Sequence, residues 1–412
     1  MTAPNSAASD TPVTNRNILI SGASVAGPVL AHWLRRFGFH PTIVERAPSP
    51  RKTGGHAVDL FGPAVEVTDH MGLLPQVQRL RTRTERLALA TGSRGRPVDI
   101  NVAALAGLLS DKHIEIMRDD LSVLLHESTG DTEYLFGDSI SRMSQDDDGV
   151  SVTFESGPSR RFDLVVGADG LHSNVRSLAF GPESRYARFT GAYLAVYSLP
   201  NFLGLADTAH VYNTDGRVVA FYRAPAQDEL RAIFLFRTGD PLDYHHRDVR
   251  HQKSLLRRHF EDVEWHVPRL LSELDAAESF YFDSITQIDM DAWSSGRVTL
   301  VGDAGYSPGP AVGGGTSLAM VGAYLLAGEL KAANGDHVAG FAAYEDAVRP
   351  QVMNARAFGA NAATTLVPRS VAHAWLTVQL SRLVNAAPRS LVRRLTGTRH
   401  GPILNTPLPR YE

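Results

Sequence analysis

Residues 17–38 read NILISGASVAGPVLAHWLRRFG, and this stretch carries the strongest structural signal of the sequence. The apolar run over residues 17–21 predicts a short buried strand. The apolar residues after it recur every three or four positions, as they do on one face of a helix. Pro28 suits the first turn of this helix, and Gly38 suits the position just past its end. A second strand is predicted over residues 41–44, which completes a β-α-β unit.

The turn between this strand and helix is a candidate phosphate-binding corner. A tight glycine turn there exposes backbone N–H groups at a helix N-terminus, where the dipole favours a pyrophosphate. Gly22 permits the turn and Gly27 allows close packing, whereas Ser24 replaces the second glycine of the dinucleotide fingerprint and can donate to a phosphate. Glu45, about 20 residues further on, can accept hydrogen bonds from an adenosine ribose. The predicted cofactor-binding residues of this unit are Gly22, Ser24, Val25, Ala26, Gly27, Glu45 and Arg46.

A second junction of the same kind lies near the end of the chain. Residues 297–301 predict a strand that ends at Gly302 and Asp303, and a glycine-rich stretch then leads into a helix predicted over residues 316–331. Asp303 can accept hydrogen bonds from sugar-alcohol hydroxyls, and the free N–H groups at the helix start can stabilise the negative charge of a reduced flavin. A glycine-rich loop that only crosses the core is the alternative, and two such junctions in one chain disfavour it.

The middle of the chain changes to short alternating segments, over about residues 189–282. Asp215 and Gly216 predict a hairpin turn, and the alternation predicts an antiparallel sheet in a separate layer. Aromatic side chains in strands usually pack in a core, but as a group they could also line an apolar cavity. These aromatic residues are Tyr212, Phe221, Tyr222, Phe234 and Phe236.

The composition restricts the chemistry. The 412 residues include no cysteine, which excludes thiol nucleophiles, disulfide redox chemistry and thiolate metal sites, so redox chemistry needs a bound cofactor. The net charge of −3 provides no large basic surface for nucleic acid. Residues 1–16 predict a disordered polar tail without the features of a signal peptide. No apolar run approaches the roughly 20 residues that span a bilayer, so a cytoplasmic protein is expected.

Together these segments resemble the group A FAD-dependent aromatic monooxygenases, which share the fold of para-hydroxybenzoate hydroxylase. The resemblance extends over residues 17–349 and is strongest to the short tetracycline-inactivating and antibiotic-pathway monooxygenases. It implies an α/β fold with a Rossmann-like FAD-binding domain, an inserted antiparallel-sheet substrate-binding domain and a C-terminal helical segment. The implied division is a disordered tail over 1–16, the FAD-binding domain over 17–70, 100–185 and 285–349, the substrate-binding domain over 71–99 and 186–284, and a C-terminal helical brace over 350–412.

The resemblance also implies roles for individual residues. The loop at residues 22–27 matches the FAD diphosphate motif, and Asp303 lies where an aspartate of the family holds the ribityl chain. Asp169 lies in the motif that contacts FAD and NADPH, and Arg51 resembles an arginine that touches the nicotinamide nucleotide. The other FAD contacts that it implies are Asp59, after a loop one residue longer than usual, Arg118 at a helix start, and Pro310, Gly313 and Gly314.

Two places depart from the family pattern. Gly305 and Tyr306 stand where many members have alanine and histidine, and Gly314 replaces a larger polar residue. Both changes should alter the substrate side of the flavin. The substrate of a relative therefore cannot be carried over to this chain.

The implied function is that of a FAD-dependent monooxygenase. NADPH or NADH would reduce FAD, and a flavin 4a-hydroperoxide would transfer an oxygen atom from O2 to an aromatic or polycyclic, antibiotic-like or quinone-like small molecule. A monomer or homodimer without a nucleic-acid or membrane partner is expected. No catalytic residue is firmly assigned, and the candidates, by region only, are His56, His210, Tyr212 and Arg223.

Other functions compete with this one. A Baeyer–Villiger oxygenase or a reductase of the same fold would use the same FAD motifs. A halogenase needs two tryptophans two positions apart, and the four tryptophans of this chain lack that spacing. A zinc hydrolase is disfavoured because the acidic and histidine residues over 243–251 lack a helical His-x-x-x-His pair. A non-enzymatic FAD-binding regulator is the remaining alternative.

Overall fold

A computed structural model describes residues 13–50, 55–91, 97–102, 112–224, 228–309, 314–368, 370, 372–373, 376, 378–379 and 407–411. Two large sheets and the helices packed on them organise these residues. Among the described helices, none is long and apolar enough to cross a membrane.

The strands of the described residues are β1 (Asn17–Ser21), β2 (His40–Glu45), β3 (Ala57–Phe61), β4 (Arg86–Thr91), β5 (Val98–Asn101), β6 (His113–Met117), β7 (Glu133–Phe136), β8 (Ile140–Asp146), β9 (Gly149–Phe154), β10 (Arg160–Phe162), β11 (Leu164–Gly167), β12 (Ala187–Pro200), β13 (Thr208–Thr214), β14 (Arg217–Ala224), β15 (Glu229–Arg237), β16 (Phe280–Ile288), β17 (Ser294–Ser295) and β18 (Val298–Leu300). The helices are α1 (Ala26–Arg36), α2 (Gly62–His70), α3 (Leu74–Arg79), α4 (Arg118–Glu127), α5 (Asn174–Phe180), α6 (Val249–Phe260), α7 (Val267–Glu273), α8 (Asp303–Tyr306), α9 (Gly315–Ala332) and α10 (His337–Leu366).

The first large sheet has six strands in the order β17-β18-β11-β1-β2-β7. Strand β1 pairs in parallel with β2 and β11, so that Ile18 lies opposite Pro41 and Leu164. The predicted β-α-β unit is confirmed, because α1 follows β1 and Gly38, with φ +87°, comes just after the end of α1. Since parallel strands end at the same edge of a sheet, the turns after β1, β11 and β18 meet there.

The second large sheet has seven strands in the order β16-β12-β15-β14-β13-β4-β5. The predicted hairpin is confirmed, since β13 and β14 pair antiparallel with Thr214 opposite Arg217. Strand β4 joins the far side of β13 in parallel, and β5 forms the edge beyond it. The expected layer of alternating segments is therefore a single, mostly antiparallel sheet.

The two faces of this second sheet have different partners. Helices α6 and α7 cover one face, where Phe221, Phe234 and Phe236 are completely buried, so the cavity interpretation is wrong for these three residues. The opposite face turns toward the separate two-stranded sheet of β3 and β6, because Tyr222 accepts from the Ala57 N–H at the start of β3 and Arg231 donates to the Gly55 carbonyl just before it. The aliphatic residues of this inner face are Ala192, Leu194, Val196, Val218, Leu235 and Ile285.

The first described residues are attached to a distant part of the chain. The Thr14 N–H donates to the Asn334 carbonyl at 2.9 Å, and Asn15 Nδ2 donates to the Gly335 carbonyl at 2.8 Å. Residues 13–16 are therefore not part of a loose tail, and residues 1–12 lie outside the described part. At the other end, α10 begins at His337, ahead of the expected start of the helical brace.

The last described segment docks on helix α9. Tyr324 Oη donates to the Pro409 carbonyl at 2.8 Å, and Tyr411 Oη donates to Glu329 Oε1 at 2.6 Å. The Tyr411 ring lies over Gly328, where an added Cβ would come within 2.1 Å of the ring carbons. Because Gly328 has no side chain, it leaves the space that the ring fills.

Substitution of Gly328 tests this docking. Alanine in a helix interior is ordinarily more stable than glycine by about 1 kcal/mol, but a methyl group here would displace the ring. We expect Gly328→Ala to lower the free energy of unfolding and to make the C-terminal segment more sensitive to limited proteolysis. The same substitution in a Tyr411→Ala background should be neutral or stabilising. A stabilising effect of Gly328→Ala in the wild-type background would contradict the docking.

Candidate functional site

A groove runs along the edge at which β1, β11 and β18 end. One wall comes from α4, through Arg118 and Asp119, and another from β16, through Tyr281 and Asp283. The two predicted glycine corners line this same groove, although they are far apart in the sequence. The predicted cofactor-binding residues that line it are Gly22, Ser24, Val25, Ala26, Glu45, Arg46, Arg118, Asp169 and Asp303.

Very close backbone contacts shape the first glycine corner, and the second corner lies beside it. Gly22 has φ +109°, and a Cβ on it would lie 2.4 Å from the Ala168 carbonyl oxygen. A Cβ on Gly27 would lie 1.9 Å from the Gly22 oxygen, so α1 can approach β1 only without a side chain there. A Cβ on Gly302 would lie 3.6 Å from Ala26 Cβ, which places the second corner close to the first.

Two helix N-termini open into the groove. Neither α1 nor α9 has a side-chain cap or an acidic residue in its first turn, and Ala26 and Gly315 at their starts line the groove. The first N–H groups of a helix have no partner within the helix, and the dipole makes this end positive. Both ends therefore suit electron-rich groups, such as a diphosphate at α1 and a flavin ring at α9.

Glu45 is the last residue of β2 and lies at one end of the groove. One carboxylate oxygen accepts from the Ala23 N–H and the other from the Ala47 N–H, both at 2.8 Å. A carboxylate has about four lone-pair sites, so each oxygen can still accept a bond from a ribose hydroxyl. Ser24 and Arg46 are exposed at the groove.

Asp303 lies deep in the groove. Burial raises the pKa of its carboxyl group, while a hydrogen bond from Ser307 and the charge of Arg118 oppose this effect. Arg118 is the first residue of α4, and its backbone N–H donates to the His56 carbonyl at 3.0 Å. A half-buried acceptor near the charge of an arginine fits the hydroxylated chain of FAD.

Asp169 lines the groove, but its hydrogen bonds point into the protein. The carboxylate accepts from Ser173 Oγ at 2.5 Å, from the Asn174 and Val175 N–H groups at 3.0 Å, and from Ser21 Oγ at 3.3 Å. It therefore holds the start of α5 against the end of β1. The predicted cofactor contact of Asp169 has to share these occupied oxygens.

Asp59 does not line the groove. Its carboxylate pairs with His113 Nε2 at 2.6 Å, and its backbone carbonyl accepts from Ser317 Oγ at 2.9 Å. The structure thus turns this predicted FAD contact toward β6. Arg51, Pro310 and Gly313 lie outside the described residues. Gly314 directly precedes α9, and a Cβ there would meet no atom within 4 Å.

Three of the catalytic candidates lie on the wrong face of the second sheet. His210 stacks on Phe221, and Tyr212 stacks on Trp265 with ring centroids 5.1 Å apart, on the side of α6 and α7. Arg223 is two residues from Phe221 on β14, so its side chain lies on the same face, and it pairs with Asp228 at 3.0 Å. None of the three lines the groove. Strand alternation, which the sequence shows, does not say which face meets the cofactor.

The fourth candidate, His56, lies beside the groove. Its ring is 6.3 Å from the ring of Tyr281, a residue of the groove wall. Burial, with the charge of Arg118, lowers the pKa of His56 to about 3. Burial, with the charge of Asp283, raises the pKa of Tyr281 well above its usual range. At neutral pH both groups are uncharged.

The sequence did not indicate a polar network that crosses the groove. His172 Nδ1 lies 3.0 Å from Glu183, and its Nε2 lies 2.9 Å from Asp283 of β16. Burial alone would lower the pKa of His172, but hydrogen bonds to Asp283 and Glu183 outweigh it and raise the pKa to about 10. In the sequence, the position of His172 just after the Asp-Gly turn was the only signal that pointed to this network. A charged imidazolium therefore connects the second sheet to the first.

The same network reaches the second glycine corner. Arg176 is completely buried and donates to the Ala304 carbonyl at 2.8 Å, to the Leu171 carbonyl at 2.6 Å and to Glu183 at 2.6 Å. Glu183 thus accepts from both Arg176 and His172. The position of β16 relative to Asp303 depends on this chain of charged groups.

The network predicts a pH-dependent stability. A histidine pKa that is raised on folding stabilises the protein fully below about 6.5, and this contribution is lost as the pH rises through about 10. We expect His172→Gln to lower the free energy of unfolding by about 2 kcal/mol or more at pH 6. The difference from wild type should shrink steadily between pH 7 and pH 10 in urea unfolding. A difference that is constant over this range would contradict a charged His172.

Comparison with known proteins agrees with this geometry. The family described as "FAD binding domain" matches residues 15–357. A flavin-dependent monooxygenase of Legionella longbeachae is 36% identical over 398 residues, 97% of this chain and 99% of the relative. Another, from an unknown prokaryotic organism, is 40% identical over 344 residues, 84% of this chain and 88% of the relative.

A solved structure shows the same similarity. The crystal structure of tetracycline destructase Tet(55) is 35% identical in sequence and has a TM-score of 0.82, covering 97% of this chain and 100% of that chain. The expected family and fold are confirmed, and this chain belongs to the FAD-dependent monooxygenases with the fold of para-hydroxybenzoate hydroxylase.

Proposed function

We propose that this monooxygenase uses NADPH or NADH and O2 to hydroxylate a flat, uncharged aromatic or polycyclic small molecule. The observation that supports this most directly is the single groove that joins two uncapped helix N-termini, Glu45 and Asp303. Bound FAD supplies the acceptance of hydride and the activation of oxygen. The protein has to hold FAD, orient the substrate and exclude water.

The residues of the groove suggest how FAD is held. Glu45 would accept from the adenosine ribose, and the start of α1 with Ser24 would bind the diphosphate. Asp303 would accept from the ribityl hydroxyls, and the start of α9 would face the electron-rich edge of the ring. Further contacts are proposed for Gly22, Val25, Ala26, Gly27, Arg46, Arg118, Asp169 and Gly314, while Arg51, Asp59, Pro310 and Gly313 stay predictions from the family resemblance.

The inner face of the second sheet favours an apolar substrate. One cluster of its buried residues is aliphatic, with Val367 packed against it, and Tyr281 and Asp283 on the same face provide polar groups toward the groove. Burial of a charge against such a face would be costly, whereas a flat ring system would bury apolar area. An aliphatic wall also keeps water away, which protects an oxygenating flavin from wasteful decay. The likeness to a tetracycline destructase favours a polycyclic substrate.

The side chains beside the groove favour binding over acid–base catalysis. With a pKa of about 3, His56 stays neutral and can accept a hydrogen bond, but it is too weak a base to hold a proton at neutral pH. Tyr281 stays protonated and can donate. A phenolic substrate would therefore be held in its neutral form by this pair.

The role of Asp303 predicts a loss of cofactor. We expect Asp303→Asn, which keeps the size and removes the charge, to bind FAD at least about tenfold more weakly, because hydrogen bonds to charged groups contribute about 1.5–3 kcal/mol. The measurement is the flavin absorbance of purified protein and the Kd for FAD. Asp228→Asn, which alters an exposed carboxylate, is the matched control. Full flavin content in the Asp303→Asn protein would contradict the proposed contact.

The reaction itself is tested with a panel of neutral polycyclic phenols and quinone-like compounds. We expect at least one compound to accelerate NADPH or NADH oxidation and to gain one oxygen atom that derives from isotopically labelled O2. An inserted ring oxygen would identify a Baeyer–Villiger oxygenase, and a reduced product without labelled oxygen would identify a reductase. If no compound stimulates flavin reduction, the proposed hydroxylation is wrong.

A further inference from the structure

We propose that Tyr222 and Arg231 are positioning residues for the FAD groove. From the second sheet they hold residues 55–57 against the start of α4, and through this segment they set the position of Arg118. This inference rests on the proposed function, because its importance depends on FAD binding at the groove. Neither Tyr222 nor Arg231 lines the groove, so both act through other residues.

Tyr222 holds one end of the segment. Its hydroxyl oxygen accepts from the Ala57 N–H at 2.7 Å, and the side chain is 8% exposed. Burial raises the pKa of Tyr222 far above its usual range, so the hydroxyl stays neutral. The backbone N–H of Ala57 is the first in β3, and a buried N–H without a partner would be costly. Tyr222 therefore fixes where β3 begins.

Arg231 holds the other end. It lies directly opposite Tyr222 in the pairing of β14 with β15, and its Nε donates to the Gly55 carbonyl at 3.1 Å. A second nitrogen donates to Glu229 at 2.6 Å. The side chain is only 2% exposed, and a buried guanidinium is tolerated only when its donors are paired. Tyr222 and Arg231, which are paired neighbours in one sheet, thus form hydrogen bonds with the residues on both sides of His56.

The opposite side of the segment contacts the groove wall. The Gly55 N–H donates to Asp119 Oδ2 at 2.6 Å, and the Arg118 N–H donates to the His56 carbonyl at 3.0 Å. A Cβ on Gly55 would lie 2.5 Å from Asp119 Oδ1. Arg118 and Asp119 both line the groove. The segment is therefore a tightly fitted spacer between the substrate-facing sheet and a wall of the cofactor site.

This arrangement has a specific consequence. A displacement of Tyr222 or Arg231 has to move the segment, and the segment has to move Arg118 or lose its hydrogen bonds. The side chain of His56, packed beside Tyr281, would shift at the same time. The second sheet therefore determines the geometry of the FAD site at a distance from the flavin.

The test compares two conservative variants of buried tyrosines. Tyr222→Phe removes the acceptor for the Ala57 N–H. Tyr197→Phe is the matched control, because Tyr197 is buried in the same sheet and its hydroxyl has no hydrogen-bond partner in the part of the chain that the structure describes. Arg231→Lys keeps the positive charge but removes the Nε donor to Gly55. All measurements use the full-length chain.

Two measurements separate this inference from the proposed function. Hydrogen exchange of peptides that cover residues 55–61, with and without added FAD, directly reports how firmly the hydrogen bonds from the second sheet hold the segment. We expect about tenfold faster exchange at the start of β3 in Tyr222→Phe and wild-type exchange in Tyr197→Phe. We also expect FAD to bind about 3–10-fold more weakly in Tyr222→Phe and Arg231→Lys, with an altered flavin spectrum, and unchanged in Tyr197→Phe.

The outcomes have distinct meanings. Unchanged exchange at residues 55–61 in Tyr222→Phe would contradict the claim that Tyr222 holds this segment. Faster exchange with unchanged FAD affinity and spectrum would overturn the positioning role, even if the free energy of unfolding falls. A wild-type chain that binds no FAD would contradict the proposed function. The exchange data would still decide whether Tyr222 holds residues 55–57.

Discussion

The close approach of backbone segments at one edge of the parallel sheet is the constraint on which the site depends. A Cβ on Gly27 would lie 1.9 Å from the Gly22 oxygen, and one on Gly22 would lie 2.4 Å from the Ala168 oxygen. Without side chains at these positions, α1 can start directly over the end of β1, and the corner at Gly302 can pack against Ala26. The groove exists because three strand ends share this edge.

The electrostatics of the groove suit negatively charged or electron-rich groups at some points and hydroxyl groups at others. Two uncapped helix starts supply N–H groups, and two carboxylates, Glu45 and Asp303, supply acceptors at separate points along the groove. The charged chain of Arg176, Glu183, His172 and Asp283 ties the second sheet to this arrangement. The groove and the inner face of the second sheet are therefore joined by a continuous chain of hydrogen bonds.

Local sequence signals predicted the strands, helices and turns that form the groove, but they did not indicate the hydrogen-bond partners of its carboxylates. The glycine corners, the β-α-β unit and the hairpin at Asp215 could be predicted because each depends on neighbouring residues. The FAD contacts of Asp169 and Asp59 stay predictions, and the sequence did not indicate that Asp169 also caps a helix or that Asp59 pairs with His113. A carboxylate can satisfy many partners, and its choice depends on atoms from distant segments.

The family, the parallel sheet and its two glycine corners could be predicted from the residues alone, because glycine turns and helix periodicity depend on neighbouring positions, and the lack of cysteine indicated that redox chemistry would need a bound cofactor. Which face of the second sheet meets the groove became apparent only from the packing of distant elements. It turned His210 and Tyr212 toward helices and turned Tyr222, Arg231 and Tyr281 inward. The physical reason is that strand alternation defines two faces equally well, and only packing against other elements distinguishes them.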